Sequence, residues 1–241
     1  MHSFNQWCIR NKLTINIKKC NYIVLKNAQN RFNFNHGSVM LGNEILSQSS
    51  SLSFLGVTLD PQLNWSNHVS NLLKSLRPFS GLFFRLAKHL PKDILVLLYH
   101  LHSKINYCLD CYGNAPSTHI NKITLFQKTI VRIINNKKFD HPSNQLFKQC
   151  KILNIVNAYK LKVLLNAHDH FYSSSRPIYP HSYSTRHSTY KLPIPLFTSS
   201  SGQRSPIFQQ VKFWNGLPLY LRFIKNRLHF KSNVKDYLLS L

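Results

Sequence analysis

Carboxylates are the side chains that hold catalytic magnesium, and this sequence has seven: Glu44, Asp60, Asp93, Asp110, Asp140, Asp169 and Asp236. Two-metal phosphoryl transfer needs several of them converging on the ions. No two are close in sequence, so no DD, DxD or DxE pair anchors such a site. That spacing argues against a complete polymerase or nuclease centre, and no catalytic residue is assigned. Thiol chemistry fares no better. Cys8, Cys20, Cys108, Cys111 and Cys150 are sparse and odd in number, which suits reduced thiols. One C-x-x-C, in NYCLDCYG, lacks a second pair at zinc-ribbon spacing, so Cys108 and Cys111 read as packing residues. His100/His102 and His168/His170 are two apart, which on a helix turns the rings to different faces. No metal, cofactor or small-molecule ligand is expected.

The cations carry the signal. Thirty-one Lys and Arg give a formal charge of +24 against those seven acids. Self-repulsion on that scale is relieved by a polyanion, and nucleic acid is the usual one. Lys74, Arg77, Arg85 and Lys88 share an arc of about 80° on an ideal helix, opposite an apolar stripe. No acid interrupts the arc, which suits it to facing phosphates. Lys128 and Arg132 stand four apart on a second helical stretch. The longest apolar runs are too short for a bilayer, and no secretory pattern opens the chain. Nucleus or cytoplasm is the expected location, with no membrane partner.

The elements that must position these residues fall in two blocks. Up to about residue 60 the sequence reads as strands: LTINI and YIVL around a Lys18-Lys19-Cys20 turn, VMLGNEIL with a Gly42-Asn43 hairpin turn, and the alternating LSFLGVTLD. From Trp65 the period becomes helical: Val69, Leu72, Leu73 and Leu76, then Phe79, Leu82, Phe83 and Leu86 after a kinking Pro78. Asn64 or Ser66 is the expected cap. Further helices are predicted from Pro91, from Thr118 as a cap, over Gln145–Leu153 and over Val156–Phe171. Residues 173–206, rich in Ser, Pro, Tyr and His, read as an irregular linker. The predicted fold is α+β and mostly α: antiparallel strands over 1–64, a helical bundle over 65–172, the linker, and a C-terminal helical segment over 207–241.

Taken in order, these segments resemble a family. WCIRNKLTINIKK, from Trp7 to Lys19, looks like the segment that follows the catalytic aspartates in reverse transcriptases of LINE-type, non-LTR retrotransposons. SFLGVTLD with NWSNHV looks like the primer-grip hairpin running into the thumb. The stretch from Leu73 to Ala115 is similar to the family's thumb helices. STRHSTYKLPIP, GQRSPIFQQVKFWNGLP and FKSNVKDYLLS resemble the C-terminal region of jockey-like elements. Cys20 stands where the family often has Thr or Ser, and Tyr112-Gly113 where Trp-Gly is frequent.

The resemblance implies a palm edge, a thumb and a post-polymerase region, with the aspartate pair expected upstream of this sequence. It implies a C-terminal fragment of an RNA-directed DNA polymerase that binds RNA or an RNA–DNA hybrid and is not an enzyme by itself. The alternative is a co-opted basic RNA- or DNA-binding protein. Lys19 then matches a lysine near incoming nucleotide. Phe54, Leu55 and Gly56 match the primer grip, where glycine lets the backbone approach the primer and the apolar neighbours hold the hairpin down. Trp214 reads as the anchor of a small core.

Overall fold

The computed structural model describes residues 2–25, 37–42, 44–101, 104–172 and 191–241. Its contacts divide the chain into two units, 1–68 and 69–241.

In the first unit, local chemistry outweighs alternation. Helix α1 (His2–Arg10) closes with Asn11 donating back to the Trp7 carbonyl. LTINI, expected as a strand, has no regular pairing and runs into a 3₁₀ turn over Ile17–Lys19. The Asn16 carbonyl accepts the Lys19 N–H in that turn. Asn21–Tyr22 (β1) enters a ladder, pairing in parallel with Ser47–Gln48 (β4). Between them, Met40–Leu41 (β2) and Glu44–Ile45 (β3) form the expected hairpin, with Gly42 at φ 64°. Asn43, the other turn residue, lies outside the described residues. LSFLGVTLD is two strands: Leu52–Phe54 (β5) and Val57–Leu59 (β6) pair with Phe54 opposite Val57. That register leaves a two-residue turn at Leu55 (φ 47°) and Gly56 (φ 78°). Positive φ at both positions is what a type I′ hairpin turn requires, and leucine pays about 1–2 kcal/mol to adopt it.

Asp60 was expected only to end a strand. Its carboxylate instead accepts the backbone N–H groups of Gln62 (3.1 Å), Asn64 (2.9 Å) and Trp65 (2.8 Å). Leu63 and Trp65 both have positive φ, so this carboxylate holds a strained loop that launches the next helix. That helix, α2 (Ser66–Leu86), continues through Pro78. Proline deprives the Lys74 carbonyl of its usual donor.

The second unit is helical because its apolar residues recur at helical spacing and cover one another. After α2 come α3 (Lys92–Leu101), α4 (Leu109–Tyr112), α5 (Ser117–Ile134), α6 (Asn144–Gln149) and α7 (Ile155–Tyr172). Thr118 does not cap α5. The cap position is Pro116, without a side-chain bond, and Thr118 lies inside the first turn. One core joins Phe83 of α2, Leu95 of α3, Ile130 and Val131 of α5, and Leu146 of α6. Buried Gln127 ties three helices together. Its Oε1 accepts the N–H of Ile155, the first residue of α7, at 2.7 Å, and its Nε2 donates to the Tyr99 hydroxyl at 2.7 Å.

Among the described residues, four further helices follow: α8 (Ser200–Gln203), α9 (Pro206–Gly216), α10 (Leu219–Arg222) and α11 (Arg227–Ser240). Ser205 caps α9 ahead of Pro206, and Asn226 caps α11. Trp214 is fully buried among Phe171, Phe230 and His168, as an anchor should be. Its neighbour Asn215 both donates to and accepts from the Leu192 backbone, each at 2.9 Å, so WN combines a packing residue with a backbone clamp. Phe230, Val234 and Leu238 of α11 complete this second core. Of the expected linker, 173–190 lies outside the described residues, while 191–206 holds Leu192 in the core and the short α8.

Candidate nucleic-acid interface

The basic side of α2 forms because the apolar stripe turns inward. Val69, Leu72, Leu76 and Phe83 are buried, whereas Lys74, Arg77 and Arg85 are exposed on the opposite side. Lys74 to Arg85 covers about 17 Å of helix axis. Lys88, expected on the same arc, stands in the turn that follows the helix, with its ammonium 5.5 Å above the Phe84 ring. Among the described residues, none of these four cations forms an ion pair. Their charge is therefore available to an external anion.

Two residues on this surface escaped the sequence reading. Phe84 is 59% exposed and lies about 20° outside the basic arc, an aromatic face beside the cations. Gly81 falls within the arc, and a Cβ there would have nothing within 4 Å. The signal was present in both cases: projecting every α2 residue onto the arc, rather than the charged ones alone, would have found them.

The remaining predicted residues are dispersed. Lys128 and Arg132 lie half-buried on α5. Arg132 serves the loop beyond its helix, with its Nε donating to the His141 carbonyl at 2.9 Å and its guanidinium 5.4 Å from the Phe139 ring. Lys19 is exposed at the end of the 3₁₀ turn, and Gly56 is exposed at the hairpin tip. Phe54 and Leu55 were expected to hold the hairpin down from within a core. They are 61% and 72% exposed, Phe54 at the end of its strand and Leu55 in the turn.

Three of the acids are engaged elsewhere. Asp110 pairs with Lys162 at 2.9 Å, Asp169 with Arg227 at 2.7 Å, and Asp60 with the backbone of its own loop. Burial raises the Cys111 thiol above its usual range, with Asp110 and then Cys108 adding to the effect, so it stays protonated at neutral pH. Among the described residues, no three His, Cys, Asp or Glu side chains converge on a metal-sized site, and no helix is long and apolar enough to cross a membrane.

Comparison with known proteins found two curated relatives. The chain is 28% identical over 140 residues to the RNA-directed DNA polymerase from mobile element jockey of Drosophila funebris. It is 27% identical over 139 residues to the corresponding protein of Drosophila melanogaster. The chain resembles part of a jockey-type reverse transcriptase. The matches cover 56% and 55% of this chain, which spans only 15% of the length of these curated relatives. No family model matches the chain, and no solved structure matches it.

Proposed function

We propose that this chain is the template–primer-gripping part of a retrotransposon RNA-directed DNA polymerase, and that it does not transfer nucleotides by itself. It holds RNA or an RNA–DNA hybrid through phosphates laid along α2. The observation that carries this reading is the row of exposed, ion-pair-free cations, Lys74, Arg77 and Arg85 with Lys88 behind them, in a chain of formal charge +24. Phosphate contacts of this kind fix register without reading bases, so the grip is independent of sequence. Phe84 and Gly81 extend it, one as an aromatic surface and the other as a place where a strand can approach the helix backbone. Phe54 and Leu55, exposed at the β5–β6 tip, are suited to contact the primer rather than a core. The engagement of Asp60, Asp110 and Asp169 in structural bonds supports the absence of phosphoryl transfer by these residues.

The test is binding of a labelled hybrid duplex across a salt series, beside a primer-extension assay with Mg²⁺ or Mn²⁺. Wild type should bind without sequence preference, and changing Lys74, Arg77, Arg85 and Lys88 together to Gln should lower the slope of log K against log[salt] by about 3 to 4. An unchanged slope would refute the α2 grip. Template-dependent extension by chain free of host polymerase would refute the non-catalytic reading.

A further inference from the structure

A cavity of about 280 Å³ lies among α3, α5, α7 and α11, and none of the α2 cations lines it. Its size is near the lower end for small-ligand pockets. Leu109, Leu161 and Leu165 give it an apolar lining, and two flat rings, Tyr99 and His100, stand beside them. Four lysines also line it: Lys151 and Lys231 exposed, Lys162 and Lys235 half-buried. No carboxylate does. Lys162 is held by Asp110, and the other three lysines form no ion pair among the described residues.

The polar group inside the cavity is oriented. Because Gln127 Oε1 is taken by the Ile155 N–H, its amide nitrogen must be the group facing Tyr99, and it donates to the hydroxyl oxygen. The Tyr99 hydroxyl hydrogen then has no acceptor among the described residues and can donate to a ligand. Burial lowers the His100 pKa, and the nearby Lys235 lowers it further, so this ring is neutral at pH 7 and suited to stacking. Apolar walls, aromatic rings, a hydroxyl donor and surrounding ammonium groups match the parts of one nucleotide.

We propose that this cavity takes a single unstacked nucleotide of single-stranded RNA or DNA, with its base beside Tyr99 and His100 and its phosphates on Lys231 and Lys235. The inference rests on the nucleic-acid reading above and adds to it a contact that duplex cannot make, since a paired base is not free to enter. An acidic peptide would satisfy the lysines but not the rings, and an acyl chain would leave the lysines and the Tyr99 hydroxyl along the wall unmatched.

The test uses the full chain, a labelled 12-nucleotide oligo(U) and a 12-base-pair RNA–DNA hybrid, followed by fluorescence anisotropy over a salt series. The double variant Lys231→Gln/Lys235→Gln should lower the single-strand slope by about 1.4, two contacts at about 0.7 each, and leave the hybrid slope unchanged. Ala158→Leu fills the cavity from α7 without altering charge, and should weaken oligo(U) binding roughly fivefold to a hundredfold at constant slope. If that variant does not fold, as judged by circular dichroism, the lysine pair alone decides. Single-strand binding unchanged in the folded variants overturns the cavity assignment and leaves the α2 grip standing, because the hybrid slope is read in the same series. Equal losses on oligo(U) and hybrid also overturn it, as general electrostatics would produce them. Wild type that binds neither overturns both readings.

Discussion

Replacing Gln127 with leucine keeps most of the side-chain volume and removes every polar bond it makes. The Ile155 N–H, bonded at 2.7 Å to Oε1, would be left inside the core, and the Tyr99 hydroxyl and Leu153 carbonyl would lose the donor at 2.7 and 3.5 Å. A buried unpaired N–H costs about 1–3 kcal/mol, and a lost hydrogen bond to a group that can still reach the cavity about 1 kcal/mol. The 3.5 Å contact is too long to count for much. The sum is about 3 kcal/mol, which for a unit of this size lowers Tm by roughly 6–12 °C. Thermal melting by circular dichroism measures it, and a shift below about 3 °C would refute the view that Gln127 joins α3, α5 and α7. Gln127→Glu sharpens the test. Burial should raise the new carboxyl above its ordinary value of about 4.3. A group whose folded pKa is raised keeps its stability below the unfolded pKa and loses it as pH rises through the folded one. The deficit of that variant against wild type at equal pH should therefore be smallest near pH 4 and grow towards neutrality. A deficit that shrinks as pH rises would reverse the sign and overturn the reasoning.

Three further outcomes are expected. Gly113→Ala should lower stability by about 1–3 kcal/mol in denaturant melts, because a Cβ there would stand 2.7 Å from Tyr159 Cγ and 2.5 Å from the Leu109 carbonyl oxygen. Helix propensity alone predicts the opposite sign. Leu55→Asn should raise stability by about 1 kcal/mol, since asparagine tolerates the φ of 47° that strains leucine at the hairpin turn. Above pH 10 the chain should unfold cooperatively. Burial raises Tyr99 and Tyr159 to about 12 and Tyr112 higher still, so the stability they confer is intact below the unfolded pKa of about 10 and lost as pH climbs through the folded values. Absorbance at 295 nm should show these phenols ionising together with the loss of helix signal.

The helices were legible because their apolar residues repeat at a spacing that only a helix can bury. Val69, Leu72 and Leu76 fixed the inner side of α2, and the basic arc opposite followed from geometry. Trp214 was legible for a related reason: an indole between apolar neighbours has few places to go but a core. The first unit was less so. LTINI alternates as a strand does, but alternation has no force without a partner strand, and the local bonds of the 3₁₀ turn took the chain instead. The parallel pairing of Asn21 with Ser47 joins residues 26 apart and leaves no mark in either segment. Thr118 failed as a cap because Pro116, with its fixed φ, already directs the chain into α5. Polar residues with buried roles were the least readable. Gln127, Asn215 and Asp60 look like surface residues by type, and apart from the Tyr99 hydroxyl their partners are backbone atoms, which no sequence pattern distinguishes.

The distribution of charge joins the fold to its proposed use. Seven acids cannot neutralise thirty-one cations, and those acids whose bonds are known serve the architecture first: Asp60 holds the loop before α2, Asp110 holds Lys162, and Asp169 holds Arg227. Spending acids on loops and helix contacts leaves whole surfaces basic, the outer side of α2 among them. A free protein bears that as self-repulsion. A bound polyanion relieves it and, by binding only the folded form, adds about 2.7 kcal/mol of stability at a hundred times its Kd. On the proposed reading, the same lysines and arginines that weaken the isolated chain are the ones that hold nucleic acid, so a substitution that relieves the repulsion on α2 is expected to loosen the grip as well.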